Sequence, residues 1–379
     1  MNQIVARQVL PDRLRGLALL GIVIVNVPFL GISVEGFTQQ SIQGPVDLTT
    51  MFAVITLAEG KFYLLFSFLF GYSASFILKD QSPSNRKRFL RRLFGLFLFG
   101  MIHAVFFFSG DILITYSLLG IFLFFISRYS DRIVKKWGIT AVAISVLITS
   151  SISAIGVVTA EEETGLEFLQ QALSSGSFID AASARFETLP IFFILLLLLQ
   201  GPMAFFAFLL GLLAFRRNML ASPEKYLLLW RKLTVWGWSL GLPLQIVAGA
   251  LQVTALADGV SSSHMAMFGL AIGLISAPIL TAGYISTVVL LLQKKPNFLS
   301  FMAPAGQMSL TVYLCESIVL SFVFATYGLG YFGQWGAFPV VVAGIATWAL
   351  LTLASRFWLK RFSQGPFEKV LAKITGPRI

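Results

Sequence analysis

The sequence predicts an all-α membrane protein, a polytopic bundle of about ten transmembrane helices with both its N-terminus and its C-terminus cytoplasmic. Three observations predict it. Only 12% of the 379 residues are charged while 57% are hydrophobic, against roughly a quarter charged in soluble domains. The mean hydropathy is +0.83. Apolar stretches near the roughly 20 residues that cross a bilayer follow one another from end to end, with short polar turns between them.

The first stretch, 14–34, follows Arg7, Arg13 and Arg15. It resembles a signal peptide at its start, but it is long enough to span and no Ala-x-Ala site follows, so an uncleaved helix is expected. Further spans are read at 50–78, 93–109, 111–127, 137–159, 188–215, 233–256, 265–292, 304–326 and 337–358. Gly110 and Asp111 make the third and fourth a tight hairpin.

Charge sets the orientation, because cytoplasmic loops retain Lys and Arg during insertion. With the N-terminus inside, 26 of the 28 Lys and Arg lie in inner segments, and the two exceptions are Lys61 and Arg185. Glu161, Glu162, Glu163, Glu167, Asp180 and Glu187 gather in one outer loop, 160–187, read as a short surface helix or a mobile loop. That loop divides a membrane half at 1–159 from a second at 188–379. The tail from Lys360 to Lys373 alternates basic and apolar residues, as a helix on a membrane surface does.

The net charge of +11 is carried by short clusters between apolar runs. These are topology signals and lipid-headgroup contacts, and no nucleic-acid partner is expected. A single cysteine, Cys315, excludes an intrachain disulfide, and two histidines at different depths do not support a metal site. Whether the chain forms a homo-oligomer is not legible here.

A charge within the membrane is costly and marks function by default. Asn26, Glu59, Lys61 and His103 fall at a similar depth, roughly 10–15 Å below the outer surface at 1.5 Å per helical residue. One outward-opening polar pocket is therefore expected, with Asp111 at its rim. The plainer alternatives are that Glu59 and Lys61 neutralise each other across a helix interface and that His103 bonds a backbone carbonyl. A second polar stripe, Ser309, Tyr313, Glu316 and Ser317, shares one face of the ninth span. His264 is expected to be solvated.

At the inner face, Asp12, Leu14, Arg15, Gly16 and Ala18 followed by Asn26 reproduce an opening shared by several membrane families. Further along stand Lys61-Phe62, Leu65-Phe66-Ser67, Leu69-Phe70-Gly71, Arg91-Arg92, Gly100, His103, Gly110-Asp111-Ile112-Leu113 and Tyr116. The second half adds Ser309-Leu310-Thr311, Tyr313-Leu314, Ser317, Gly328-Leu329-Gly330 and Gly365-Pro366-Phe367-Glu368. Together these resemble the YeiB-like family of bacterial inner-membrane proteins, over nearly the whole chain.

That family is similar to the transmembrane acyltransferases, including the heparan glucosaminide N-acetyltransferases and the acyltransferase-3 proteins. The resemblance implies a multi-pass protein of the bacterial inner (plasma) membrane. It also implies acyl transfer from cytosolic acyl-CoA to a sugar or other small acceptor, with acyl-CoA as donor substrate, no tightly bound cofactor, and membrane lipids as surroundings. The sequence departs from these relatives at three places. Asn26 stands where acyltransferase-3 proteins have a catalytic His, Phe37 where the heparan enzymes have theirs, and Glu316 where Gln belongs in the YeiB-like pattern.

On this reading His103 is the general base, oriented by Asp111 or Glu59. Asn26 and Lys61 stabilise the oxyanion, and Tyr116, Tyr313, Glu316 and Ser317 complete the substrate site. Arg13, Arg15, Arg91 and Arg92 hold the CoA phosphates. The alternative from another class is a transporter or flippase using Glu59, Lys61, His103 and Glu316 as a substrate or proton path. A scaffold with degenerate chemistry is the third reading.

Overall fold

A computed structural model describes residues 9–80, 82–158, 166–258 and 264–376, without the side chains of 155–158. In order, the helices are α1 (Val9–Gly31), α2 (Pro45–Leu57), α3 (Phe62–Leu78), α4 (Pro83–Phe106), α5 (Ile112–Ile126), α6 (Asp131–Val158), α7 (Glu167–Ser175) and α8 (Phe178–Leu199). They continue with α9 (Gly201–Arg216), α10 (Leu227–Trp236), α11 (Leu242–Ala257), α12 (His264–Lys294), α13 (Ala303–Gln307), α14 (Ser309–Phe324), α15 (Ala337–Trp358) and α16 (Pro366–Thr375). A π-helical turn, Gly237–Gly241, joins α10 to α11. No strand is present among the described residues.

Among the described residues, eight helices or helix pairs are long and apolar enough to cross a membrane, and nine when the pair Ser300–Gln307 and Ser309–Phe324, bent by 86°, is taken as one. The predicted fourth span is α5, apolar but only 15 residues long. Large apolar side chains such as Phe94, Phe122, Ile139, Leu147, Leu228 and Leu350 stand exposed around the bundle, as a lipid-facing surface requires. The chain is a multi-pass membrane protein.

Bonds between helix ends follow the predicted alternation. At the basic end, Arg13 at the start of α1 donates to the carbonyls of Pro296 and Phe298 beyond α12. Arg15 donates to Ser73 near the end of α3, and Arg216 of α9 to Asp131 of α6. At the opposite end, the Val34 amide donates to Gln170 of α7, and Phe338 to Asp47 of α2.

Several predicted spans are broken. The 50–78 span is two helices, α2 and α3, parted at 58–61, where Gly60 has φ +78°. Freed carbonyls there are met by side chains: Lys61 Nζ donates to Ile55 at 2.7 Å, Tyr284 to Leu57 and Thr281 to Lys61. Irregular backbone at membrane depth persists only when it is re-satisfied in this way. The 188–215 span divides at Gln200 into α8 and α9, and α8 begins ten residues earlier than expected. Ser177 and Asp180 form a capping box at its start, so 178–187 is helix and not surface loop; Glu161, Glu162 and Glu163 lie outside the described residues. The third span likewise starts early, at Pro83 behind the cap of Ser82.

The two sequence halves interleave. Helix α1 packs on α14 and α15, and α3 lies along α9. A Cβ on Gly71 would meet the Phe208 carbonyl, and one on Gly211 the Phe68 carbonyl, so these small residues let the two backbones touch. The tail helix is α16, amphipathic as expected. It lies on α4 and buries Leu371, and its Glu368 accepts from the amides of Leu310 (2.7 Å) and Thr311 (3.1 Å), capping α14 at the bend.

Candidate functional site

The Gly110-Asp111 hairpin builds the centre of the site. Asp111 is the N-cap of α5, and its Oδ1 accepts from the amides of Leu113 (2.7 Å) and Ile114 (3.0 Å). Its other oxygen, Oδ2, lies 2.8 Å from His103 Nδ1. Tyr313 of α14 donates to the same oxygen at 3.2 Å and accepts from the Ile112 amide. Carboxylate and imidazole are both buried, at 0% and 2% side-chain exposure. A carboxylate at Nδ1 fixes the tautomer and leaves Nε2 as the free lone pair. His103 Nε2 is buried with no protein partner. One turn along α14 from Tyr313, Glu316 is also buried, and its Oε1 has no partner. Ser317 is buried beside it.

Next to this cluster lies a cavity of about 250 Å³. Asn26 of α1, Glu59 and Gly60 of the α2–α3 break, Tyr63, Phe107 to Gly110, and Ile112 line it. Phe192, Leu195, Leu196 and Leu199 of α8 form an apolar side, with Arg185 and Gln200 also on the wall. Tyr63 presents a buried hydroxyl without a partner. His103 lies behind the Phe108 ring, with centroids 6.3 Å apart, and is not itself on the wall.

The structure therefore brings His103, Asp111 and Tyr313 into one bonded group, with Asn26 and Glu59 on the adjoining cavity. Three expectations need correction. Asp111 is no rim residue, since capping α5 draws it inside. Lys61 is off the wall: its ammonium closes the end of α2, and no ion pair joins it to Glu59. Tyr116 is packing, its hydroxyl bonded to Ser67 at 2.6 Å and to the Tyr63 carbonyl and its ring against Phe70 and Phe208.

The four arginines named for phosphate do not converge either. Arg13 is consumed by backbone carbonyls, and Arg91 is exposed on α4. Arg92 lies within electrostatic reach of Arg88, of Glu368 and of Arg15, which Asp12 holds at 2.7 Å. Arg185, Gln200 and Tyr63 were not singled out from sequence. The signal for Arg185 was its place as one of two exceptions to the charge bias.

Residues 214–377 match the family described as "Protein of unknown function (DUF418)". The chain is 31% identical to the uncharacterized protein YxaH of Bacillus subtilis (strain 168), over 94% of this chain and 91% of that one. The chain belongs to the DUF418 family. Its likeness to the uncharacterized protein YeiB of Escherichia coli (strain K12) is 26% over 98% of both chains. Another family relative, an uncharacterized 39.9 kDa protein in the amylase 3′ region of Bacillus acidopullulyticus, is 26% identical over 96% of this chain and 92% of its own. No solved structure matches.

Proposed function

We propose that this DUF418 protein is a transmembrane acyltransferase of the bacterial inner membrane, oriented with its basic end in the cytoplasm. The observation that carries the reading is His103, whose Nδ1 is held by Asp111, itself fixed by two α5 amides, and whose Nε2 is buried without a partner. That is the arrangement of a general base poised for a proton its own protein does not supply.

The acceptor is a small molecule with a hydroxyl or amine. With the Phe108 ring turned from between His103 and the cavity, Nε2 takes its proton as the oxygen or nitrogen attacks the thioester carbonyl of acyl-CoA. The C–S bond then breaks, the thiolate leaves with the electron pair, and the imidazolium returns the proton to sulfur. Asn26 and the Tyr63 hydroxyl are the donors on the wall for the developing oxyanion. Arg15 and Arg92, in place of the wider set of four, face the phosphates. Arg92 and His103 are eleven residues apart on α4, about 16 Å, which the arm of the donor must bridge.

The test is calorimetric titration of acetyl-CoA and a long-chain acyl-CoA into protein in nanodiscs, with Arg15→Ala and His103→Ala. Saturable binding lost in Arg15→Ala and kept in His103→Ala supports the reading. Absence of binding by the wild type overturns it.

Transport without covalent chemistry has one observation in its favour. The break at 58–61 puts Glu59 on the cavity wall, as interrupted helices do in transporters.

A further inference from the structure

Arg185 is a buried charge that acyl transfer does not use and that the fold leaves without a counter-charge. It lies in the second turn of α8 at only 2% exposure. Its guanidinium donates to the Phe106 carbonyl at 3.0 Å and to the Tyr327 hydroxyl at 3.1 Å, and lies over the Tyr327 ring at 5.8 Å. Every one of these partners is neutral. No carboxylate lies within 4.0 Å among the described residues. A buried cation of this kind is costly unless an anion joins it.

The cavity that Arg185 lines has the shape for the rest of such a ligand. From Arg185 to Gln200 the wall follows fifteen residues of α8, about 22 Å. Between them Phe192, Leu195, Leu196 and Leu199 face Ile22 and Val25 of α1 and Leu274 of α12 across an apolar slot. The cavity, about 250 Å³, is smaller than the roughly 300–1,000 Å³ of most ligand pockets, which suits a slender ligand such as one alkyl chain.

We propose that this cavity binds a single-chain amphiphile whose anionic head pairs with Arg185 and whose chain lies along the apolar face of α8. The head is a carboxylate or a phosphate monoester, since a guanidinium fork accepts either. The site shares its cavity with the acyl-transfer reading, through Asn26 and Tyr63 on the same wall, but does not rest on it. Binding is read without acyl-CoA or turnover, so each proposal stands or fails alone.

The experiment is native mass spectrometry and titration of delipidated full-length protein in a non-ionic detergent. The probes are palmitate, hexadecyl phosphate and the neutral hexadecanol. Saturable binding of one anion per chain, with hexadecanol at least about 30-fold weaker, is the expected result; that is the low end for losing one partner of a buried charge pair. Preference for palmitate points to a free fatty acid, and preference for the phosphate to a lipid with a phosphate-monoester head.

Arg185→Gln brings both anions down to the affinity of hexadecanol. Because Arg185 also ties α4 to Tyr327, Leu196→Trp serves as a second variant. It fills the slot with Arg185 in place and abolishes binding of all three probes while the thermal midpoint is kept. Equal affinity for anions and alcohol, unchanged binding in Leu196→Trp, or no saturable binding overturns the proposal. So does an unchanged anion preference in folded Arg185→Gln.

Discussion

His103 and Asp111 are eight residues apart and form one buried unit, Nδ1 to Oδ2 at 2.8 Å, across the turn that joins α4 to α5. The same carboxylate caps α5 through Oδ1. Folding of the hairpin and presentation of the imidazole are therefore one event. Gly100 of α4 lies against Asp111 and Ile114 with no room for a Cβ, which sets how closely the two helices approach.

Asp111→Asn keeps an oxygen for the α5 amides but no longer fixes the imidazole tautomer. Its thermal midpoint is expected to fall little, while acyl transfer drops by about 10²–10⁴-fold, as when a triad carboxylate is neutralised. Asp111→Ala loses the cap as well, with a further cost of about 0.5–2 kcal/mol. Thermal unfolding in detergent beside a thiol-release assay separates the two effects.

Glu59 and Lys61 divide their labour. Lys61→Met leaves the Ile55 carbonyl at the end of α2 unpaired and costs about 1–3 kcal/mol, without altering cavity-ligand affinity. Glu59→Gln is nearly neutral for stability and alters that affinity, because Glu59 is on the wall and Lys61 is not. Equal behaviour of the two variants in unfolding and titration contradicts this assignment.

Glu368 is a remote cap. It accepts from the second and third amides of α14, those of Leu310 and Thr311, and from the Thr311 hydroxyl at 2.5 Å. Glu368→Ala is expected to cost about 1–2 kcal/mol and to loosen α16 from α4. Limited proteolysis beyond Trp358, faster in the variant than in the wild type, reports it.

Gly60→Ala places a side chain at φ +78° against Ala277. A cost of about 1–2 kcal/mol is expected from the left-handed backbone alone, measured as a lower thermal midpoint.

Hydropathy made the all-helical, multi-pass architecture legible, with ten spans read where eight or nine are long and apolar enough among the described residues, and the Gly110-Asp111 hairpin placed His103 near its carboxylate. Breaks at 58–61, Gln200 and Met308 were not legible, because a hydropathy window averages across a short interruption that leaves both flanks apolar. Lys61 was misplaced for that reason, read as a mid-helix charge when it closes a helix end. Tyr313 joins Asp111 across 202 residues, a contact no local pattern encodes. Arg185 was read within an outer segment, a short surface helix or a mobile loop, because the acidic run before it hid the start of α8 at Phe178.

The most direct test of acyl transfer is thiol release from acetyl-CoA and a long-chain acyl-CoA by purified protein in nanodiscs, with a membrane extract as the source of acceptor. The account predicts acceptor-dependent free CoA and acylated product with the wild type. Both are reduced to background in His103→Ala while acyl-CoA binding persists. Release that His103→Ala leaves unchanged, or none from the wild type with bound acyl-CoA, contradicts it.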